Sequence, residues 1–310
     1  MATTTSITTT YAGEFKQQII SAALLSGNTI ANGGVTVKPN IKYKETVKKL
    51  AIGAMSANAT CDFTAASSVT LTERVITPEE FQVNLQLCKK DFRSDWEAIS
   101  MGISVFDNLP KNFQDYLVAE IAAKVAQENE ISLWRGANAT AGQYDGFVTL
   151  ATADATVVDV VGTTVTAANV IAELGKVVDA IPAALYGSAG LNVYVSQNVA
   201  RAYIRALGGF GASGLGANGT NAMGTQWSNN GSLSFDGVPI FVANGLASNY
   251  IMAGEKENLW FGTGLLNDST EVKVIDMADL DGSQNVRVVM RYTAAAQYGI
   301  GSELVLYTPV

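Results

Sequence analysis

The sequence predicts an α+β fold in which one long helix is laid across a strand-rich chain that carries extended arms. Three observations point there. In Asn108–Gly136, NLPKNFQDYLVAEIAAKVAQENEISLWRG, the residues Phe113, Leu117, Ile121 and Val125 recur every fourth position with Tyr116 and Val118 beside them, an apolar stripe of helical period. Most of the remaining chain breaks into short apolar or alternating stretches punctuated by Gly, Pro, Asn and Asp, the pattern of strands and turns. Charged residues make up only 15% of a chain that is 48% hydrophobic. Soluble domains usually carry ~25% charge, so much of the nominal surface is expected to be buried against other chains.

The 310 residues suffice for one large core or two subdomains. Residues 1–10 are almost entirely Thr, Ser and Ala. Gly13–Leu25 reads as a short amphipathic helix with Phe15, Ile19, Ala22 and Ala23 on one side, and residues 26–40 are rich in Gly and Asn, with Pro39 near their end. Alone, such a segment cannot bury enough apolar surface to offset its ordering entropy. It is expected to lie on neighbouring subunits, with Phe15 and Ile19 as candidate contacts. Residues 41–60 open with Lys42, Lys44, Lys48 and Lys49. They read as an edge strand with solvated lysines that block stray pairing, as a docking patch for acidic neighbours through Lys42 and Lys44, or as a nucleic-acid contact.

Residues 56–80 read as two strands around a small-residue turn, Phe63 on one arm and Val69, Leu71, Glu73 and Val75 alternating on the other. The pair has little apolar mass to fold on, so it is expected to project and pack on something else. Phe63, Glu73 and Arg74 are its candidate inter-subunit contacts. Lys90–Ile99 spaces Phe92, Trp96 and Ile99 as a second, shorter helix. The long helix then starts at Pro110, suited to a first turn, behind Asp107 and Asn108 as cap candidates, and stops at Gly136 with Arg135 in its last turn. Roughly 25 residues at 1.5 Å each give a rod of ~38 Å.

An aromatic-flanked turn follows, Tyr144-Asp145-Gly146-Phe147. Residues 157–185 give a strand and a helix, with Thr166 as cap and Val170, Leu174, Val177 and Ile181 as the stripe before Pro182. Leu191–Val195 is a strand, and Ser196 caps a helix over Gln197–Leu207, completing a compact α/β unit. Residues 208–232 are Gly-, Ser- and Asn-rich, the most flexible stretch by composition. Strands are expected at Phe235–Val242, where Gly237 and Pro239 place a turn or edge, and at Tyr250–Met252, Leu259–Phe261, Glu271–Met277, Val286–Ala294 and Ser302–Tyr307.

Chemistry is limited by composition. The chain has no histidine, which removes the commonest general base, the Ser-His-Asp triad and most zinc sites. Cys61 and Cys88 stand alone, imply no disulfide framework and fit a reducing cytoplasm. Gly209–Gly214 matches GxGxxG but follows a helix and opens a loop, the wrong context for a dinucleotide site. Asp276, Asp279, Asp281 and Gly282 fall short of a calcium loop because Met277 breaks the alternation. Glu128 and Glu130, at i and i+2, do not face each other and are expected to pair with a neighbouring chain. No enzyme activity, cofactor or metal is expected. A net charge of −8 and a pI near 4.7 argue against broad binding to nucleic acid. No signal peptide opens the chain, and no run of about 18 apolar residues would span a membrane.

The order of these segments resembles the major capsid proteins of tailed bacteriophages, the Hong Kong 97-type fold. The motifs that carry the resemblance are VTLTERVITPEEFQVNLQLCKKDF at 69–92, QENEISLWRGANATAGQYDGF at 127–147 and FDGVPIFVANGL at 235–246. The resemblance implies an N-terminal arm (1–40), an extended β-hairpin loop with flanking strands (41–85), a peripheral domain holding the long spine helix (86–159), an axial domain (160–285) whose 208–232 loops face the capsomer axis, and return strands (286–310). It implies self-assembly in the host bacterial cytoplasm into hexamers and pentamers of an icosahedral virion shell. That shell encloses double-stranded DNA without sequence-specific binding. Portal, scaffolding and decoration or head-fibre proteins would be further partners. An encapsulin-type nanocompartment shell, or another virion structural protein, is the alternative. Some members crosslink through a lysine of the extended loop; residues 56–75 contain none, so no such crosslink is expected there. The arm is expected to remain uncleaved, with any scaffold a separate protein.

Overall fold

The computed structural model describes residues 27–52, 69–88, 111–208, 233–264 and 272–310. Its largest sheet has six strands, in the order β5 (Val158–Gly162), β13 (Val305–Pro309), β9 (Ile251–Glu255), β6 (Leu191–Val195), β8 (Val238–Val242), β7 (Leu233–Phe235). The central strand β6, LNVYV, is apolar at four of its five positions because both of its faces are covered. Leu191, Val193 and Val195 point to one side, where α4 (Val170–Asp179) and α5 (Gln197–Gly208) cover them. Tyr194 points to the other side and joins a second core. The stripe Val170, Leu174, Val177 and Ile181 is buried as its spacing predicts. The cap of α4 is Asn169 rather than Thr166: Thr166 instead opens the preceding turn, its carbonyl accepting from Val170 N. Strands β7 and β8 join through Asp236 and Gly237, both at positive φ (46° and 78°), the geometry of a two-residue hairpin turn and the reason for Gly at the second position.

The second sheet has five strands built on β12 (Asn285–Tyr298), which is 14 residues long. Along Asn285–Ala294 it pairs with β4 (Glu79–Cys88). On its other side it pairs first with β11 (Val272–Asp276) and then with β10 (Leu259–Gly262), and β1 (Thr36–Lys38) adds in parallel to β10. The register sets Phe81, Val83, Leu85 and Leu87 opposite Tyr292, Met290, Val288 and Val286 on one apolar face. The opposite face is polar and exposed, with Glu80, Gln82, Gln86, Arg287 and Arg291. The alternation of β4 is plain in the sequence, but this strand is absent from the expectations above.

The long helix α2 runs Lys111–Arg135 and stops at Gly136 as expected. Its burial is uneven. Leu117 and Ile121 are only half-buried, Val125 is buried, and Leu133 and Trp134 are fully buried. The four-residue stripe therefore marks the helix, while the last three turns carry the packing. Trp134 meets Phe147 edge-on at 5.5 Å and lies 5.2 Å from Tyr194. Around these rings the core between the two sheets gathers Met252, Leu259, Tyr298 and Leu306. Helix α3 (Phe147–Ala153) follows the Asp145-Gly146 turn. A Cβ at Gly146 would collide with the backbone of Ser132, so the turn needs glycine to lie against the end of α2.

Two expectations are corrected here. Residues 27–38 lie not on neighbouring subunits, as the composition of the segment suggests, but on their own chain. The one-turn helix α1 (Asn28–Ala31) buries Thr29, Val35 is buried, and β1 joins the five-stranded sheet. The hairpin also has a different first arm: β2 (Glu45–Ile52) pairs with β3 (Val69–Ile76) from Glu45↔Ile76 to Ile52↔Val69. The lysine-rich segment is thus the hairpin's own strand rather than a separate edge. The expected helices at Gly13–Leu25 and Lys90–Ile99, the start of α2 at residues 107–110, and Phe15, Ile19, Cys61, Phe63 and the GxGxxG stretch at 209–214 lie outside the described residues.

Candidate assembly surface

The hairpin β2–β3 reaches the body at its base. Beyond each other, its strands meet the rest of the chain mainly where β3 passes β12. A small apolar cluster seats it there: Ile41, Ile76 and Ala295 are buried, with Val47 and Trp260 packed against them. Lys38, on β1, ties the start of β2 by an ion pair to Glu45 at 3.3 Å and lies 4.5 Å over the Trp260 ring. Gln297 Nε2 donates to Val75 O at 3.3 Å.

Arg74 supplies the polar part of the seat. Its guanidinium pairs with Asp154, just past α3, and lies 4.8 Å over the ring of Tyr298, a fully buried residue of β12. Tyr298 OH donates to the same Asp154 oxygen at 2.9 Å, and the other oxygen accepts from Thr156 N at 2.9 Å and Thr156 Oγ1 at 2.8 Å. Burial alone would raise the Asp154 carboxyl. The hydrogen bonds from Thr156, Arg74 and Tyr298 outweigh it and hold the group well below the usual carboxylate range. The Tyr298 phenol is pushed up, by burial first and then by the carboxylate it faces.

The other described candidate contacts lie in the open. Lys42, Lys44 and Glu73 are exposed, and Lys44 Nζ sits 5.5 Å from the ring of Tyr43, itself 76% exposed. The structure brings none of these three together with Arg74, which is partly buried against its own subunit. Val75 on the hairpin, the half-buried Leu117 and Ile121 on α2, and the polar face of the five-stranded sheet, with an open groove of about 890 Å³ lined by Gln82, Arg291 and Thr293 among others, are further surface available to a partner.

Glu130 is not at that surface. It is buried, and its carboxylate accepts from Thr29 N at 3.1 Å and from Thr29 Oγ1, which in turn accepts from Trp134 Nε1 at 2.9 Å. Burial raises its pKa against these hydrogen bonds. The expected ion pair with a neighbouring chain is therefore replaced by a clamp that holds α1 on the end of α2. A Cβ at Gly245 would collide with the Glu130 carbonyl, so the loop after β8 closes the same site. Glu128, two residues earlier, is exposed and pairs with Lys124 at 3.6 Å. Cys88 is a free, half-buried thiol. Asp276 and Asp281 accept backbone N–H groups of their own turn, from Ala278 and Ser283. Among the described residues no cluster of His, Cys, Asp or Glu could hold a metal ion, and no helix is long and apolar enough to cross a membrane.

No family model matches the sequence, and no curated protein sequence matches it either. Solved structures do match. The fold is similar to the capsid of the native GTA particle, at 12% identity over 95% of this chain and 94% of that one, with a TM-score of 0.64. It is similar to the capsid of Myoviridae phage XM1, at 13% identity over 97% and 96% with a TM-score of 0.60. It is also similar to the capsid of the cyanophage P-SCSP1u, at 12% identity over 97% and 93% with a TM-score of 0.58. The chain thus has the fold of phage capsid subunits, and the α+β capsid architecture expected from the sequence is the one observed.

Proposed function

We propose that this chain is a major capsid protein of a tailed phage, one that self-assembles into hexamers and pentamers of an icosahedral shell enclosing the double-stranded DNA genome. The observation that carries this reading is a capsid fold matched end to end, across about 95% of both chains, at negligible sequence identity. The surface described above supports it. A hairpin seated at its base among the described residues, beside exposed Lys42, Lys44 and Glu73, suits contact with a neighbouring copy. In this reading residues 1–40 form the arm, of which 27–38 lie on their own chain, 41–85 the extended loop and its flanks, 86–159 the peripheral domain, 160–285 the axial domain and 286–310 the return strands. Phe15, Ile19 and Phe63 join the exposed charges as inter-subunit contacts. Portal, scaffolding and decoration or head-fibre proteins complete the particle, which is built in the host cytoplasm. The chain then has no enzymatic role.

The test is to express the full chain and image it by negative stain, with nuclease-protected DNA assayed in particles purified from the phage. Closed icosahedral shells and protected genome-length DNA are expected. Tubes, flat layers or no assembly at high concentration would overturn the proposal, and shells holding protein cargo would favour a nanocompartment. Removal of residues 1–25 is expected to leave free capsomers or aberrant particles.

A further inference from the structure

The hairpin joins the body through two short connections, residues 39–44 from β1 and Thr77-Pro78 into β4. Residues 40 and 41 of the first connection are hydrogen-bonded to Gly264 and Thr263, so the tethers fix where the hairpin starts, but by themselves they would let it swing about the line between them. The apolar cluster at Ile41, Ile76 and Ala295 opposes lifting, but apolar contact is non-directional and permits sliding. Arg74 is different. A guanidinium presents a planar fork that is satisfied in few orientations, and here one side faces a carboxylate while the plane lies over an aromatic ring. Its receptor is already fixed: Asp154 is held by Thr156 and Tyr298, Tyr298 is fully buried, and a Cβ at Gly301 would collide with Thr156 Oγ1. The cradle is therefore built by the core and stays put. Lys38–Glu45 and Gln297–Val75 also tie the hairpin base, but both are exposed or half-exposed single contacts, and Arg74 is the hairpin side chain that enters this buried cradle.

We propose that Arg74 is a positioning residue for assembly: through Asp154 and Tyr298 it fixes the direction in which the β2–β3 hairpin leaves its own subunit. The inference rests on the capsid reading above for its consequence, but the orientation it assigns belongs to the subunit. One spin label is placed on exposed Thr46 of the hairpin and one on exposed Asp179 of the body, in the full chain with Cys61 and Cys88 replaced by serine. The distance distribution between them is then compared with and without Arg74→Ala. The distribution is expected to broaden about twofold, as a released hinge would, while particles formed by the same variant become aberrant in stained images. Arg74→Lys, which keeps the charge and loses the fork, is expected to broaden it less; it also serves as the readout should Arg74→Ala fail to fold. An unchanged distribution in both variants overturns the proposal. So do normal shells from a variant whose hairpin has loosened. If the parent chain forms no shells at all, the capsid reading falls while the distance result still decides the role of Arg74.

Discussion

The six-stranded sheet and the β2–β3 hairpin are both built of short strands, near-continuously apolar in the one and alternating in the other, and they differ in what covers them. Along β6, Val193 and Val195 pack on α4 and α5 while Tyr194 packs on Trp134, so both faces are closed by the same chain. On the hairpin, Ile76 at the base is fully buried, but Val75 beside it is 38% exposed and Glu73 beyond it is open. The difference teaches where each region draws its stability. Apolar area closed within the chain contributes to folding, at about 25 cal/mol per Å². Area left open contributes only once a partner covers it. Substitutions in the two regions should therefore separate into folding defects and assembly defects.

The largest folding effect is expected from Trp134→Ala, which empties the space between the two sheets and should cost about 3–5 kcal/mol, read as a fall in the unfolding midpoint. A parent-like melting curve would break the comparison at its strongest point. Glu130→Ala comes next. It leaves Thr29 N and Oγ1 buried without their acceptor, at about 1–3 kcal/mol by denaturant titration. It should also make residues 27–38 the first part of the body to be cut by a protease.

The carboxyls of the two regions should titrate with opposite sign. Asp154, at the hairpin seat, is held below its ordinary 3.8, so its contribution is present above that value and is lost as pH falls below it. Glu130, in the core, is raised above its ordinary 4.5, so its contribution is present below that value and declines as pH rises through the raised one. Stability measured between pH 2 and 7 should accordingly lose part of its acid limb in Asp154→Asn and part of its decline toward neutral pH in Glu130→Gln. The same slope in both variants would contradict the assignment. The smallest effect on folding is expected at Glu73→Ala and Lys44→Ala, within about 0.5 kcal/mol of the parent. Shell yield should nonetheless drop for both, and a normal yield would place the contact surface elsewhere.

Elements whose signal is periodic and local were legible without coordinates. The spacing of Phe113 to Val125 placed α2, that of Val170 to Ile181 placed α4, and Leu191–Val195 gave β6 to the residue. The strands after residue 250 were found within a few positions, although β12 runs four residues beyond its expected end and β13 starts three residues late. The sequence shows a hairpin but not its first arm: the small residues after 56 read as that arm, whereas β3 pairs with Glu45–Ile52, because alternation alone does not say which strand pairs with which. The exposed Lys42, Lys44 and Glu73 look in sequence as they do in space. Arg74 does not: its partner Asp154 is 80 residues away, and nothing near either residue announces the other.

The amino-acid sequence alone determined the long helix, most of the strands and the lack of any histidine, because those follow from periods of 3.6 and 2 and from residue types that can be counted. Only the tertiary structure decided that residues 27–38 belong to the body, that Glu130 is a core clamp and that Arg74 faces inward. Each of those depends on a partner 80 or more residues distant, and a contact that long in sequence is fixed by how whole elements pack, not by the residues beside it.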